Sequence, residues 1–123
     1  MLKTVIVVIL IIFSVPNVQA QKADYILGDQ FFNYAIKDIN AQNYLVAIRN
    51  LNISNSYYSN LESEKDSLMA FNYYLIGQCK DSLKEDSACY YFEKAYFFLS
   101  KYPNQFLYQI NDMEYYLATY YQS

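Results

Sequence analysis

The chain has 123 residues and a formal net charge of −3, and it contains no histidine, no tryptophan and only two glycines. Without histidine, the Ser-His and Cys-His nucleophiles and the usual zinc sites are excluded, and two isolated glycines cannot build a loop that cradles phosphate. Its nine basic residues are scattered and form no patch that could neutralise nucleic-acid phosphates. We therefore expect neither an enzyme nor a cofactor, a metal site or a nucleic-acid partner.

The first twenty residues have the layout of a secretory signal peptide. Nine apolar residues run from Val5 to Phe13 after an early lysine, and Pro16 and small residues then lead to Ala20. This run is shorter than the ~20 residues that span a bilayer, so a permanent anchor is the less favoured alternative. We predict cleavage after Ala20 and an exported protein, periplasmic or secreted, with no permanent membrane span. Residues 21–123 then form a single small domain.

Beyond the leader, apolar residues recur at helical spacing, and clusters of Asn, Ser and Asp interrupt them. The consistent period and the scarcity of β-branched residues predict an all-α fold. Ser82 and Glu85 have the spacing of a capping box, and Tyr102 before Pro103 marks the end of the fourth helix. The five predicted helices cover residues 24–39, 44–57, 66–80, 88–101 and 106–120.

Two helix pairs share one packing pattern. The first pair carries Phe31-x-x-Tyr34-Ala35 and then Ala47-x-x-x-Leu51-x-x-Ser54, and the second carries Tyr73-x-x-Ile76-Gly77 and then Ala88-x-x-x-Phe92-x-x-Ala95. Over residues 28–104 this pattern resembles the tetratricopeptide repeat, in which small residues let two helices approach and large ones fill the gaps. The resemblance implies an antiparallel helix-hairpin stack, with two helix pairs plus a C-terminal helix after the signal peptide.

The chain departs from the repeat at several positions. About eight extra residues near 62–69 separate the two units. Ser54 replaces a small apolar residue, and Asp38 and Lys80 stand where the first helix of a repeat usually has a tyrosine. The strict 34-residue period of the family is therefore lost.

The same resemblance implies a groove that binds an extended peptide or a helix and is lined by the first helix of each pair. Projected onto this chain, the candidate groove residues are Asp29, Phe32, Asn33 and Ile36 on the first helix and Phe71, Tyr74, Gln78 and Asp81 on the third. Apolar and aromatic groups with a few acids would suit an apolar, basic segment. In the alternative, the fifth helix or the extra loop fills the groove from within.

Cys79 and Cys89 lie five residues on either side of Lys84, at the turn between the third and fourth helices. Residues equidistant from the turn of an antiparallel pair face each other, so a disulfide is within geometric reach, and export favours it. Such a bridge would stabilise the domain by on the order of 2–3 kcal/mol. The alternative is a pair of small, buried, reduced thiols that fill tight spaces.

These observations favour a protein–protein interaction scaffold or adaptor that binds a protein or peptide partner. A second hypothesis is the N-terminal sensor or adaptor portion of a larger envelope receptor, because two repeats are fewer than the about three that a self-sufficient stack needs. A third is a structural protein that self-associates through a surface rich in its 16 tyrosines.

Overall fold

The computed structural model describes the backbone of residues 2–122 and the side chains of residues 18–122. Five α-helices follow one another: α1 (Leu2–Asn40), α2 (Tyr44–Tyr58), α3 (Lys65–Ser82), α4 (Ala88–Leu99) and α5 (Leu107–Gln122). No strand occurs within residues 2–122, and the predicted all-α class is confirmed. The predicted leader, residues 1–20, falls mostly outside the described side chains, and the described part has no helix long and apolar enough to cross a membrane.

Helices that are neighbours in the chain are also neighbours in space. The two most extensive helix contacts are those of α1 with α2 and of α3 with α4, while α2 also packs on α3 and α4 on α5. Short links at residues 41–43 and 83–87 reverse the chain within each pair, which makes the paired helices antiparallel. The helices thus form a bundle in which α5 packs against the second pair.

Small and large side chains alternate in the core, at several positions of the repeat pattern and at others outside it. The fully buried small residues are Ala35, Ala47, Ala70, Ala88 and Ala95, and the large residues between them include Leu51, Ile76, Phe92, Leu99 and Met113. Each small residue lets a neighbouring backbone come close enough for the large ones to interlock. Tyr34 is the exception: it is 41% exposed, and its hydroxyl accepts a hydrogen bond from Gln30 Nε2 at 2.6 Å.

Both glycines lie inside helices, where they allow close approach of a neighbouring ring. A Cβ on Gly77 would lie 2.8 Å from ring carbons of Phe92, and one on Gly28 would collide with the ring of Tyr58. The left-handed backbone positions in the links are taken by Gln42, Glu64 and Lys84, with φ of 63°, 64° and 63°. Glycine is thus kept for helix contacts that leave no room for a side chain, while the turns accept the modest strain of other residues.

Polar contacts at matching positions tie the ends of the two pairs. Asn50 Nδ2 on α2 donates to Asp38 Oδ2 on α1 at 2.7 Å. In the second pair, Lys80 Nζ lies 2.8 Å from Glu85 Oε2. The predicted capping box at Ser82 is wrong, because α3 continues through Ser82 and the Glu85 carboxylate binds Lys80 instead.

Gln21 fastens α1 to the link between α2 and α3. Its Nε2 donates to the Asn60 carbonyl at 2.7 Å, and its Oε1 accepts from the Glu62 N–H at 3.0 Å. Leu61, between these two backbone groups, is buried. The first residue after the predicted cleavage point therefore holds the link that leads to Glu64 and into α3.

Candidate functional site

Two open clefts lie along α3, where the groove residues are predicted. Cleft A, of about 580 Å³, is formed by α1, α3 and the α4–α5 connection, and cleft B, of about 570 Å³, by the C-terminal ends of α1 and α3 together with α5. Among the predicted groove residues, Asp29, Phe32 and Phe71 line cleft A, and Gln78 and Asp81 line cleft B. Asn33 and Ile36 line neither of the two, and Tyr74 lies between them on α3, 2% exposed.

Helix α5 separates the two clefts because it is bonded to Tyr74. The Tyr74 hydroxyl donates to Asp112 Oδ2 on α5 at 2.7 Å and accepts from Gln78 Nε2 at 2.8 Å. Beside this contact, the Phe92 and Tyr116 rings lie 4.4 Å apart, and Met113 is fully buried. Around Tyr74 the predicted groove is thus filled from within by α5, which leaves cleft A and cleft B open on either side.

Aromatic rings form nearly half of the wall of cleft A, five of its eleven lining residues. The aromatic residues that line it are Phe32, Tyr58, Phe71, Tyr102 and Phe106, and the others are Asp29, Glu64, Ser67, Leu68, Asn72 and Gln105. The ring of Phe71 lies 6.1 Å from those of both Phe32 and Phe106, so α1, α3 and the start of α5 meet at this point. The lining contains two carboxylates and no basic side chain. The volume of cleft A falls within the range of about 300–1,000 Å³ that is usual for ligand sites.

A tyrosine holds the carboxylate of Asp29 at the edge of cleft A. The Tyr58 hydroxyl donates to Asp29 Oδ1, and Tyr58 itself is 2% exposed. Burial, followed by the hydrogen bond to Asp29, raises the pKa of Tyr58 well above its ordinary value. The hydroxyl therefore stays protonated at neutral pH and acts as a donor. No ion pair with Asp29 forms within the described residues, so its second oxygen is open to a ligand.

A buried polar network lies next to Asp29 and extends into cleft A. The Ser54 hydroxyl donates to the Gly28 carbonyl at 2.7 Å, and Asn72 Nδ2 donates to Ser54 Oγ at 3.0 Å and to Asn55 Oδ1 at 2.8 Å. These contacts explain the departure at position 54, since a small apolar residue there would leave the Gly28 carbonyl without this donor. The network is incomplete at one atom that concerns the cleft, because Asn72 Oδ1 has no hydrogen-bond partner although Asn72 is fully buried.

Cys79 and Cys89 are free thiols in the structure, in place of the bridge that the hairpin spacing predicts. The Cys79 side chain lies on the wall of cleft B, and burial raises the pKa of its thiol to about 11. Cys89 Sγ lies 3.7 Å from both Glu93 Oε1 and the Tyr121 hydroxyl, toward the end of α5. The two sulfurs thus have separate surroundings, and the pair matches the alternative of small thiols that fill tight spaces.

Several residues of cleft A are missed when only the first helix of each pair is projected. Tyr58 is the last residue of α2, Glu64 precedes α3, and Tyr102, Gln105 and Phe106 belong to the α4–α5 connection. Phe106 is the one with a sequence signal, since it begins the apolar stripe of the fifth helix. Tyr58, Glu64, Tyr102 and Gln105 line the cleft because of the way the links pack, which the sequence pattern does not indicate.

No family model, no curated protein and no solved structure matches the chain. The resemblance to the tetratricopeptide repeat thus depends on the residue pattern and on the burial of its members. Within the described residues, no group of three or more Cys, Asp or Glu side chains could hold a metal ion.

Proposed function

We propose that the protein is an exported adaptor of the tetratricopeptide type, without catalytic activity, and that it binds a short segment of a partner protein in cleft A. The observation that carries this proposal is the cleft itself: about 580 Å³ of open space with aromatic walls and two carboxylates. Aromatic and aliphatic walls bind apolar side chains of a segment, while the carboxylates orient it.

The register of the two helix pairs supports the repeat type. Leu51 and Phe92 occupy equivalent places and are buried. Three positions after each of them, Ser54 and Ala95 are also buried, as the repeat pattern requires. Signal cleavage after Ala20 and export are part of the same proposal, since the leader pattern is the only indication of the compartment.

The chemistry of the thiols supports binding over catalysis. A nucleophilic cysteine needs a lowered pKa, usually from a neighbouring cation. Burial raises the pKa of both Cys79 and Cys89, and Glu93 beside Cys89 acts in the same direction. Neither thiol is therefore activated as a nucleophile.

Peptide display tests the binding proposal. The protein, purified as the cell processes it, would be immobilised and screened against random dodecapeptides, and the dissociation constants of enriched peptides would be measured for variants. We expect Phe32→Ala to weaken binding at least about tenfold, because it removes one aromatic wall whose burial contributes more than about 1.4 kcal/mol.

The matched control is Phe97→Ala, since Phe97 is a phenylalanine on α4 that is 64% exposed and does not line cleft A. Circular dichroism of both variants checks that they fold. Equal binding by the Phe32 and Phe97 variants would contradict the assignment of the ligand to cleft A.

Exposed apolar and aromatic side chains on α5 favour a second candidate, self-association. Tyr108 and Tyr115 are 74% and 76% exposed, and Leu107 is 58% exposed. These side chains could be covered by another copy, or by a further helix of a larger envelope receptor. Sedimentation of the wild type and of a Tyr108→Ser/Tyr115→Ser variant separates these cases: a mass that rises with concentration only in the wild type supports association between copies.

A further inference from the structure

Three acceptor groups that line cleft A have no hydrogen-bond donor within the described residues. They comprise the second carboxylate oxygen of Asp29, the carboxylate of Glu64 and the orphaned Oδ1 of Asn72. The Tyr58 hydroxyl is already used as a donor to Asp29. A ligand that satisfies these atoms must bring several N–H or O–H donors, and two carboxylates without a basic neighbour favour a positive charge.

Asn72 points to a ligand independently of the acids. Its Nδ2 donates to Asn55 Oδ1 and to Ser54 Oγ, and the Ser54 hydrogen is used on the Gly28 carbonyl, so turning the Asn72 amide would set two oxygens against each other. The orphaned atom is therefore Oδ1, on a residue that lines the cleft and has no exposed surface of its own. A buried acceptor without a donor is destabilising, so a donor delivered through the cleft is favoured there.

The walls of the cleft suit a flat cation. The rings of Phe32, Phe71 and Phe106 surround the space next to Asp29, and Tyr102 lines it from the α4–α5 connection. A guanidinium group stacks on aromatic faces, is always charged and presents five donors in a planar fork, which can reach two separate acceptors at once. An ammonium group is a compact point charge that binds its acceptors without stacking.

We propose that the segment bound in cleft A presents an arginine beside an aromatic or branched apolar residue, with its guanidinium on Asp29 and Asn72. This inference rests on the proposed function, because it names the chemistry of the partner for the same cleft. The apolar neighbour packs on the ring wall, and Glu64 contributes to the attraction at the mouth of the cleft.

The test uses two random hexapeptide libraries that are identical except at one fixed position, which is arginine in one and citrulline in the other. Citrulline keeps the shape and removes the charge. The protein, purified as the cell processes it, is compared with Asp29→Asn, in which the amide oxygen can still accept from Tyr58. The matched control is Asp86→Asn, which removes one exposed acid from the α3–α4 link, away from cleft A.

We expect the wild type to retain the arginine library and the best arginine peptide to bind at least about tenfold more tightly than its citrulline twin, as a charge-assisted hydrogen bond provides. Asp29→Asn should abolish this difference and Asp86→Asn should keep it. Thermal unfolding of both variants confirms that they fold.

Each other result overturns the inference. Equal retention of both libraries, lost in Phe32→Ala, leaves a binding cleft but no arginine specificity. Retention of neither library overturns the binding proposal as well. Competition by free arginine amide that equals that of the peptide assigns the site to a small cation. A dimer that Asp29→Asn dissociates assigns it to Arg49 of a second copy.

Discussion

The contact between the first two helices contains buried side-chain hydrogen bonds, whereas the equivalent place between α3 and α4 is apolar. In the α1–α2 pair, Ser54 bonds to the Gly28 carbonyl and joins a network that includes Asn72 on α3. At the equivalent place in the α3–α4 pair stands Ala95, and Phe92 packs against Gly77 there. One register of small and large residues thus accepts either a hydrogen-bonded or an apolar side chain at this position.

The two pairs also differ at their ends, although the same position carries the contact in both. Asp38 accepts a hydrogen bond from an amide, Asn50, whereas Lys80 forms an ion pair with Glu85. The first contact joins two helices and the second joins a helix to its own link. A neutral donor on one side and a charged one on the other give these contacts different responses to salt.

Truncating the central large residue of each pair should have the largest effect and break the second pair more severely. Phe92 contacts Gly77 and lies near the rings of Tyr74 and Tyr116, so Phe92→Ala should cost about 3–5 kcal/mol and loosen α5. Leu51→Ala should cost about 2–4 kcal/mol without this effect on α5. Urea unfolding measures the loss, and hydrogen exchange of α5 locates it; equal exchange in both variants would contradict the role of Phe92.

Exchanging the side chains at the equivalent positions 54 and 95 of the two helix pairs should have an intermediate effect on the free energy of unfolding. Ser54→Ala removes the donor to Gly28 and one acceptor of Asn72, and we expect a loss of about 1–3 kcal/mol. Ala95→Ser buries a hydroxyl in an apolar seam and should cost about 1–2 kcal/mol. The control is Ser56→Ala, an exposed serine on the same helix. If Ser54→Ala and Ser56→Ala have the same free energy of unfolding, the polar network does not stabilise the first pair.

Alkaline pH should lower the free energy of unfolding through one tyrosine in each helix pair. Burial, with a hydrogen bond to a carboxylate, raises the pKa of Tyr58 and of Tyr74. As the pH rises past about 10, the unfolded chain releases these protons first and binds fewer than the native state, so the free energy of unfolding falls. Urea midpoints measured across this range should fall less steeply in Tyr58→Phe and Tyr74→Phe. The exposed control Tyr115→Phe should follow the wild type, and a wild-type midpoint that does not fall would oppose this account.

The smallest effects belong to the ends of the pairs. Asp38→Ala and Lys80→Ala should each cost no more than about 1 kcal/mol, because Lys80 and Glu85 are partly exposed and Asn50 can turn to water. The loss in Lys80→Ala should shrink in about 1 M salt, where charges are screened within about 3 Å, while that in Asp38→Ala should persist. Unfolding in low and high salt gives both numbers, and an identical salt response would remove the distinction between the two contacts.

The helices could be predicted from the sequence because their signal is local. The apolar period gave all five, and the predicted ends of α2 and α4 lie within two residues of Tyr58 and Leu99. Small residues such as Ala47 and Ala88 are buried where the pattern places them. The capping box at Ser82 failed because Glu85 had a competing partner five residues away, Lys80, that the spacing rule does not consider.

The site was less predictable because it depends on contacts between distant parts of the chain. Phe32 and Phe71 could be placed in a groove from the resemblance to the repeat family, and both line cleft A. That Tyr74 would be covered follows from its bond to Asp112, 38 residues further along. The orphaned oxygen of Asn72 was also invisible, since it results from how Ser54 and Asn55 meet α3.

The position of Gln21 would have a chemical consequence if the chain is exported and cleaved as we propose. Cleavage after Ala20 would make it the N-terminal residue, and a free N-terminal glutamine can close on itself into a lactam with loss of ammonia. That reaction removes Nε2, the donor to the Asn60 carbonyl, and draws Oε1 away from the Glu62 N–H. The link at residues 59–64 would then be cut faster by proteases. As a secreted molecule ages, the mass of its first residue would fall by that of ammonia, and the link that leads to Glu64 would become less resistant to proteolysis.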